Sequence, residues 1–554
     1  MQGFNIISED LHVPSLKNDI LVEGYRIQNM MNSKFENDKL FVKTNEYVII
    51  LDGIILNKKE LDIYQDWKTS IIILYKKLGD IFFSKLRGSY CGALYDIKKK
   101  KWIIFSDQLG SKFIFYYQNK STFICSCQNG FIYDTLKANK ISYSLSSTGA
   151  QMLLTYGYTL EHYTLSNEVK RLKLGYYITF TFGRDIEEVQ YYFLKNDDNK
   201  KLHIEECIEE VDRLFCSAVR KQFDKDLEYG YKHLVALSAG LDCRMTSFVA
   251  HELGYTNQLN YTFSQTDYWD EIVPKQMSTF LKHEWLFKAL DNGMWLYDID
   301  NITRFTGGNI TYYTIAHTYS LFRYLNFDEV GLVHTGQIGD VTISTHSKKK
   351  HPFILGDGAY NKKNINYLEF TPNSNFANSE IGYFTYRYLG GTNYGLQIYY
   401  PFSETMSPFM DLDFFEFALS IPNDIRFNHK LYKKWILLKH KDAANFVWEK
   451  MRCKITEPCI KWKDKNIPIC QIPNKIKNQF VKKDLDCKRY MNPLGYYMTT
   501  NKELSEYLMS YFKYESFITD KNTKRILQNV KYNNNALEIN SALSLLAAIK
   551  LYFS

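Results

Sequence analysis

The ten cysteines of the sequence include no C-x-x-C pair. Their closest spacing, Cys125-Ser126-Cys127, is not expected to chelate one metal ion. Cysteines this scattered over 554 residues also argue against a disulfide framework. The N-terminus, MQGFNIISEDLHV, has no basic stretch followed by an apolar one, so no secretory signal is read there. No run reaches the ~18 consecutive apolar residues of a membrane span. The best candidate, ALSLLAAIKLYF, is short and reads as a buried helix. There is no internal repeat, and proline is scarce at 11. The chain is expected to be soluble, reduced and cytoplasmic, with no membrane partner.

Hydrophobic residues make up 45% and charged residues 23%, a globular usage that excludes disorder as the main state. Aromatic residues are abundant, with Tyr 44, Phe 37 and Trp 8. Together with much Asn, Lys and Ile, this excess reads as compositional bias rather than a binding function. Lys+Arg 69 against Asp+Glu 61 gives +8, too dilute a charge for a nucleic-acid partner. The runs Lys98–Lys101 and Lys348–Lys350 read as solvated turns.

At ~100–200 residues per domain, the length predicts at least two domains. Residues 1–195 hold strand-like segments such as YVIILDGIIL, GSYCGALYDI, KWIIFSD and GYYITFTF, separated by turn residues. The polar stretch 196–202 is read as a linker. From 203 the pattern changes. HIEECIEEVDRLFCSAVRKQFD has helical spacing, and HLVALS, LNYTFS and GLVHTG are strands alternating with helices, one from about Trp269 to Leu281. That alternation predicts an α/β domain with a parallel sheet over 203–554, beside an α+β domain over 1–195. Beyond about 410 the chain reads as largely helical.

The sharpest local signal is Leu237-Ser238-Ala239-Gly240-Leu241-Asp242-Cys243-Arg244, small residues between a strand and a helix. Such a loop turns backbone N–H groups and a helix N-terminus toward a phosphate, and Asp242 is placed to hold Mg²⁺. It lacks the G-K-[ST] of a P-loop. A second strand ends in Thr335-Gly336-Gln337-Ile338-Gly339-Asp340, giving a second carboxylate at a strand's C-terminal end, where open α/β sheets bind ligands. Arg244 suits either a phosphate contact or a local carboxylate. Asp270 and Glu271 suit either a substrate- or Mg²⁺-facing role or a plain helix start.

These residues carry a resemblance. LSAGLDCR resembles the SGGLDS pyrophosphate loop of the asparagine synthetase family, of the adenine-nucleotide α-hydrolase-like group. In order along the chain, TFSQTDYWDE with His283, HTGQIGD, Pro408 to Phe427 and Arg452-Cys453-Lys454 resemble that family's further blocks. Asp52-Gly53-Ile54-Ile55-Leu56-Asn57, Gly88 to Asp96 and SDQLGSKFIFYY resemble its class II glutaminase domain, which implies two stacked antiparallel sheets covered by helices.

The resemblance implies ATP and Mg²⁺. A small-molecule or peptide carboxylate would be activated as acyl-AMP with pyrophosphate release, then attacked by ammonia or an amine. Asp242 and Asp340 would carry the metal. Leu237, Ser238, Ala239, Gly240, Asp242, Cys243, Phe263, Thr335 and Gly336 would contact ATP or pyrophosphate, and Lys454 would stabilise developing negative charge. Three departures stand out. Gln2 occupies the position of the family's nucleophilic cysteine, and a carboxamide cannot attack glutamine. Asp52, beside Gly53, replaces an Asn. Gln337 replaces a Glu, and a neutral amide is no base at pH 7. The glutaminase site is therefore read as degenerate, with no nearby cysteine to substitute and Cys91 in the core. Two other readings stay open: a glutamine-hydrolysing asparagine synthase making asparagine from aspartate, and a non-catalytic binding or scaffold homologue. A homodimer is compatible with each.

Overall fold

The computed structural model describes residues 3–119, 122–181, 183–197, 202–371, 376–462, 465–471, 490–533 and 535–554. The first part of the chain forms two six-stranded antiparallel sheets. One contains β1 (Phe4–Ser8), β2 (Ile20–Val22), β3 (Tyr25–Asn29), β8 (Phe115–Asn119), β9 (Thr122–Ser126) and β10 (Val169–Arg171), in the order β10-β8-β9-β1-β3-β2. The other contains β4 (Leu40–Lys43), β5 (Tyr47–Ile55), β6 (Gly88–Asp96), β7 (Lys101–Ser106), β11 (Tyr176–Thr181) and β12 (Glu187–Gln190), in the order β12-β11-β7-β6-β5-β4.

Both faces of the second sheet are covered, which is why YVIILDGII can be apolar at consecutive positions and fully buried. One face, with Val48, Ile50, Ala93, Trp102 and Ile104, meets Phe4, Ile6, Ile27 and Phe123 of the first sheet. The other, with Ile49, Leu51 and Phe105, packs against Trp67, Ile71 and Tyr75 of the helix Trp67–Leu78. The turn expected at Lys98–Lys101 joins β6 to β7 in a hairpin, with Lys101 the first residue of β7.

After the long helix Ile204–Glu228 comes a five-stranded sheet of parallel pairs. Its strands are β13 (Lys232–Ala236), β14 (Gln258–Ser264), β15 (Glu284–Ala289), β16 (Val330–His334) and β17 (Thr405–Met406), in the order β15-β14-β13-β16-β17. The order reverses direction between β13 and β16, so the loops after these two strands diverge and leave a crevice at their C-terminal ends. The helix Trp269–Leu281 follows β14 as its apolar spacing predicts. Beyond 410 the described chain is mostly helical, apart from a hairpin of β18 (Cys459–Trp462) and β19 (Lys465–Pro468).

Three local features take their character from their partners. The stretch 196–202 does not begin as a solvated tether: Asn196 is buried and exchanges hydrogen bonds with Asn378 while donating to Glu380. Its polarity serves buried partners rather than water. Lys350 is only half-buried and donates to the Asn196 carbonyl, so the run 348–350 is not wholly solvated. Cys125 and Cys127, two residues apart, point to the same side and both pack into the layer between the sheets.

The two parts of the chain share a core. Ile7, Phe115 and Ile124 from the free face of the first sheet pack in one cluster with Leu543, Leu546 and Ile549. The helical stretch Ala536–Phe553 is long and apolar enough to cross a membrane, but 67% of it is buried within the fold, as ALSLLAAIKLYF suggests.

Candidate functional site

The loops after β13 and β16 interlock. The Asp340 N–H donates to Asp242 Oδ2 at 3.0 Å, joining residues far apart in sequence. Only glycine permits this approach. A Cβ on Gly336 would stand 2.4 Å from the Cys243 nitrogen, and one on Gly339 would stand 2.6 Å from the Asp242 carboxyl carbon. Between them Ile338 takes φ 57, a left-handed conformation that costs a β-branched residue ~1–3 kcal/mol and concentrates at functional sites.

The loops line an open cavity of about 300 Å³. Leu237, Ser238, Gly240, Asp242, Cys243, Phe263, Thr335, Gly336 and Gln337 all border it. Ala239 lies fully buried behind them, its N–H donating to Asp270 Oδ1 at 2.7 Å. The expected site residues of the two loops and Phe263 are thus brought together. Asp340 does not line the cavity; its side chain is 40% exposed and stands 4.0 Å from His429 Nε2. Lys454 is exposed. Another cation acts on the carboxylate pair: Lys450, which lies 3.4 Å from His429 Nε2 and whose charge favours ionised Asp242.

Electrostatics mark the pair. Desolvation, and then the neighbouring Asp340 carboxylate, push the Asp242 carboxyl up to about 7. The Tyr432 hydroxyl, donating to Oδ1 at 2.9 Å, opposes this rise. Desolvation also lifts Asp270, to about 6, against the Ala239 N–H. Two hard oxygen ligands that repel each other suit a divalent cation, and Asp242 and Asp340 fit Mg²⁺ on these grounds.

Arg244 binds neither phosphate nor carboxylate. It is fully buried and donates to the carbonyls of Ala239, Ala443, Phe446 and Val447, fastening the loop to the segment 443–447. Glu271 accepts from the Asp267 N–H, a local helix-start role. Gln337 donates its amide to Asn393 at 3.2 Å and also borders a second, narrow cavity. That cavity reaches Ser89, Asp107 and Ser111 of the N-terminal sheets. Sequence reading missed Tyr432 and Lys450; the first lies in the helix Lys430–Lys439 and the second in a turn, both among many lysines where nothing local distinguishes them.

The N-terminal pocket is occupied by charge. Asp52, opposite Cys91 in the β5–β6 pair, accepts from Lys112 at 2.8 Å, and Lys39 stands 3.5 Å away. Burial opposes ionisation of Asp52, but Lys112 and Lys39 hold its carboxyl below the usual range. Both lysines also reach Glu404, at 2.9 and 3.1 Å. Gly53 follows in β5 opposite Tyr90. Gln2 lies outside the described residues. The pocket is not free of thiols as expected: Cys91 and Cys127 both border it, because stacking brings β6 and the end of β9 face to face.

Comparison with known proteins adds the following. The protein named putative asparagine synthetase (glutamine-hydrolyzing) 2 of Methanocaldococcus jannaschii is 25% identical over 295 residues, covering 48% of this chain and 56% of that one. The chain thus spans about half the length of this curated relative. Two solved structures, the glutamine phosphoribosylpyrophosphate amidotransferase of B. subtilis with ADP and GMP and an allosteric regulatory enzyme of purine biosynthesis, each superpose with TM-score 0.24 at 9% identity. They cover 42% and 52% of this chain, and 54% and 74% of their own. At that level of superposition neither speaks to the fold or the chemistry here. Residues 29–192, which hold nine of the twelve strands of the stacked sheets, match the glutamine amidotransferase domain family.

Proposed function

We propose that the chain is an ATP-dependent amide-bond-forming ligase, with an adenine-nucleotide α-hydrolase-like domain after residue 203. The observation that carries this reading is the hydrogen-bonded pair of loops bearing Asp242 and Asp340 at the point where the parallel sheet reverses. A substrate carboxylate attacks the α-phosphate of ATP, pyrophosphate leaves, and the acyl-adenylate is then attacked by ammonia or an amine. The N-terminus of the helix Asp242–Glu252 would receive the pyrophosphate. Asp242 and Asp340 would hold Mg²⁺, which when bound offsets charge on the pyrophosphate. Lys450 and Lys454 are the candidates for stabilising the negative charge that develops at the acyl centre. Gln337 positions but does not deprotonate the nucleophile, since an amide is no base.

The M. jannaschii match favours a second reading, a glutamine-hydrolysing asparagine synthase. The buried lysines on Asp52 and Glu404, which fill the N-terminal pocket, stand against it. ATP–pyrophosphate exchange against a panel of carboxylic acids, with Asp242→Asn as control, tests the proposal. Acid-dependent exchange that the control abolishes is the expected result. Exchange with no acid leaves a binding or scaffold role, and product that requires glutamine and releases glutamate supports the second reading.

A further inference from the structure

The pocket bordered by Asp52 and Lys112 also holds a pair of thiols. Cys91 lies in β6 and Cys127 just past the end of β9, strands of different sheets, with their sulfurs 3.8 Å apart. Cys91 is fully buried, whereas Cys127 is half-buried and borders the cavity. A Cβ on Gly3 would come within 2.4 Å of Cys127 Sγ, so this thiol stands directly in front of the start of β1. A disulfide needs ~2 Å between sulfurs, a gap that side-chain rotation at two facing cysteines closes.

We propose that Cys91 and Cys127 form an oxidation site, a dithiol that a small peroxide converts to a disulfide stapling the two sheets together. The cavity, about 30 Å³, admits a molecule the size of hydrogen peroxide. Cys127, as thiolate, attacks one peroxide oxygen. The O–O bond breaks, leaving a sulfenic acid on Cys127 and releasing water once a proton is taken up. Cys91 sulfur then attacks Cys127 sulfur, the S–O bond breaks, and the Cys91 proton leaves with the hydroxide as a second water. Two thiols are oxidised and one peroxide is reduced. The order of attack follows from burial: Cys91 is held as a thiol by its hydrogen bond to Cys127 and by its enclosure, which suits the resolving partner and not the first nucleophile.

The test is peptide mapping of the intact protein after hydrogen peroxide, alkylation and digestion without reductant. A linked pair of peptides carrying Cys91 and Cys127, lost on reduction, is expected. Cys91→Ser is expected to abolish the link and accumulate a dimedone-trapped sulfenic acid on Cys127. Cys127→Ser, which changes a cavity-facing side chain, is expected to leave Cys91 reduced and alkylated only after unfolding. The proposal fails if both thiols stay free in the wild-type protein. It fails equally if Cys127 proceeds to sulfinic acid without linking, or if Cys127 pairs with Cys125 instead.

Discussion

Lys112, in the turn before β8, holds Glu404, just before β17, at 2.9 Å inside the fold, with side-chain exposures of 5% and 1%. Asp52 and Lys39 complete a balanced group of two cations and two anions. The group joins the stacked antiparallel sheets to the strand that ends the parallel sheet. Removing one member leaves an uncompensated charge inside the fold. Glu404→Ala is therefore expected to lower unfolding free energy by ~3–5 kcal/mol in urea titrations. Lys112→Met combined with Glu404→Leu is expected to cost clearly less than the two single changes together.

Arg244 makes four hydrogen bonds to backbone carbonyls. Arg244→Lys keeps the charge but reaches fewer acceptors than the planar fork. A loss of ~3 kcal/mol or more is expected on the same titration, since each bond from a charged donor is worth ~1.5–3 kcal/mol.

Tyr432 supports the carboxylate pair without facing the cavity. Tyr432→Phe removes the donor to Asp242 Oδ1 and leaves the fold intact. On the proposed function, the Mg²⁺ concentration for half-maximal exchange is expected to rise ~10-fold, with a smaller change in rate at saturating metal.

His440 carries the clearest pH signature. Burial opposes its charge, but Asp212 at 2.8 Å and Glu252 at 2.6 Å raise the imidazole from 6.5 to about 9. The folded state therefore holds this proton more tightly than the unfolded chain. The resulting stability is fully present below about 6.5 and is lost as pH rises through 9. At ~1.4 kcal/mol per pKa unit it amounts to ~3.5 kcal/mol at most. Urea midpoints at several pH values should show this decline in the wild-type protein, and His440→Gln should flatten it.

The strands and helices of the parallel sheet were legible because their apolar periods switch cleanly between two and three to four residues. The helix Trp269–Leu281 falls where its sequence places it. Gly336, Gly339, Asp242 and Asp340 were legible too, since small residues next to a carboxylate mark where backbone must come close. What could not be read depends on distant partners. Arg244 binds carbonyls some two hundred residues away, and a carbonyl leaves no trace in the residue type that bears it. Lys112 and Lys39 look like any other lysines until Glu404 is folded over them. Cys91 and Cys127 meet through sheet stacking, which no strand register in the sequence encodes. Asn196 looked like a tether for the same reason, its polarity being met by Asn378 and Glu380.

The interlock of Gly336 and Gly339 with Asp242 has a bearing on how the protein matures. Neither loop can take its shape before β13 and β16 lie side by side, and β14, β15 and their helices are made in between. A chain emerging from the ribosome therefore has no carboxylate pair until residue 340 is out and the long-range strand pairing is complete. On the proposed function, nascent and misfolded copies would be unable to consume nucleotide, and competence for ATP would serve as a readout of finished assembly.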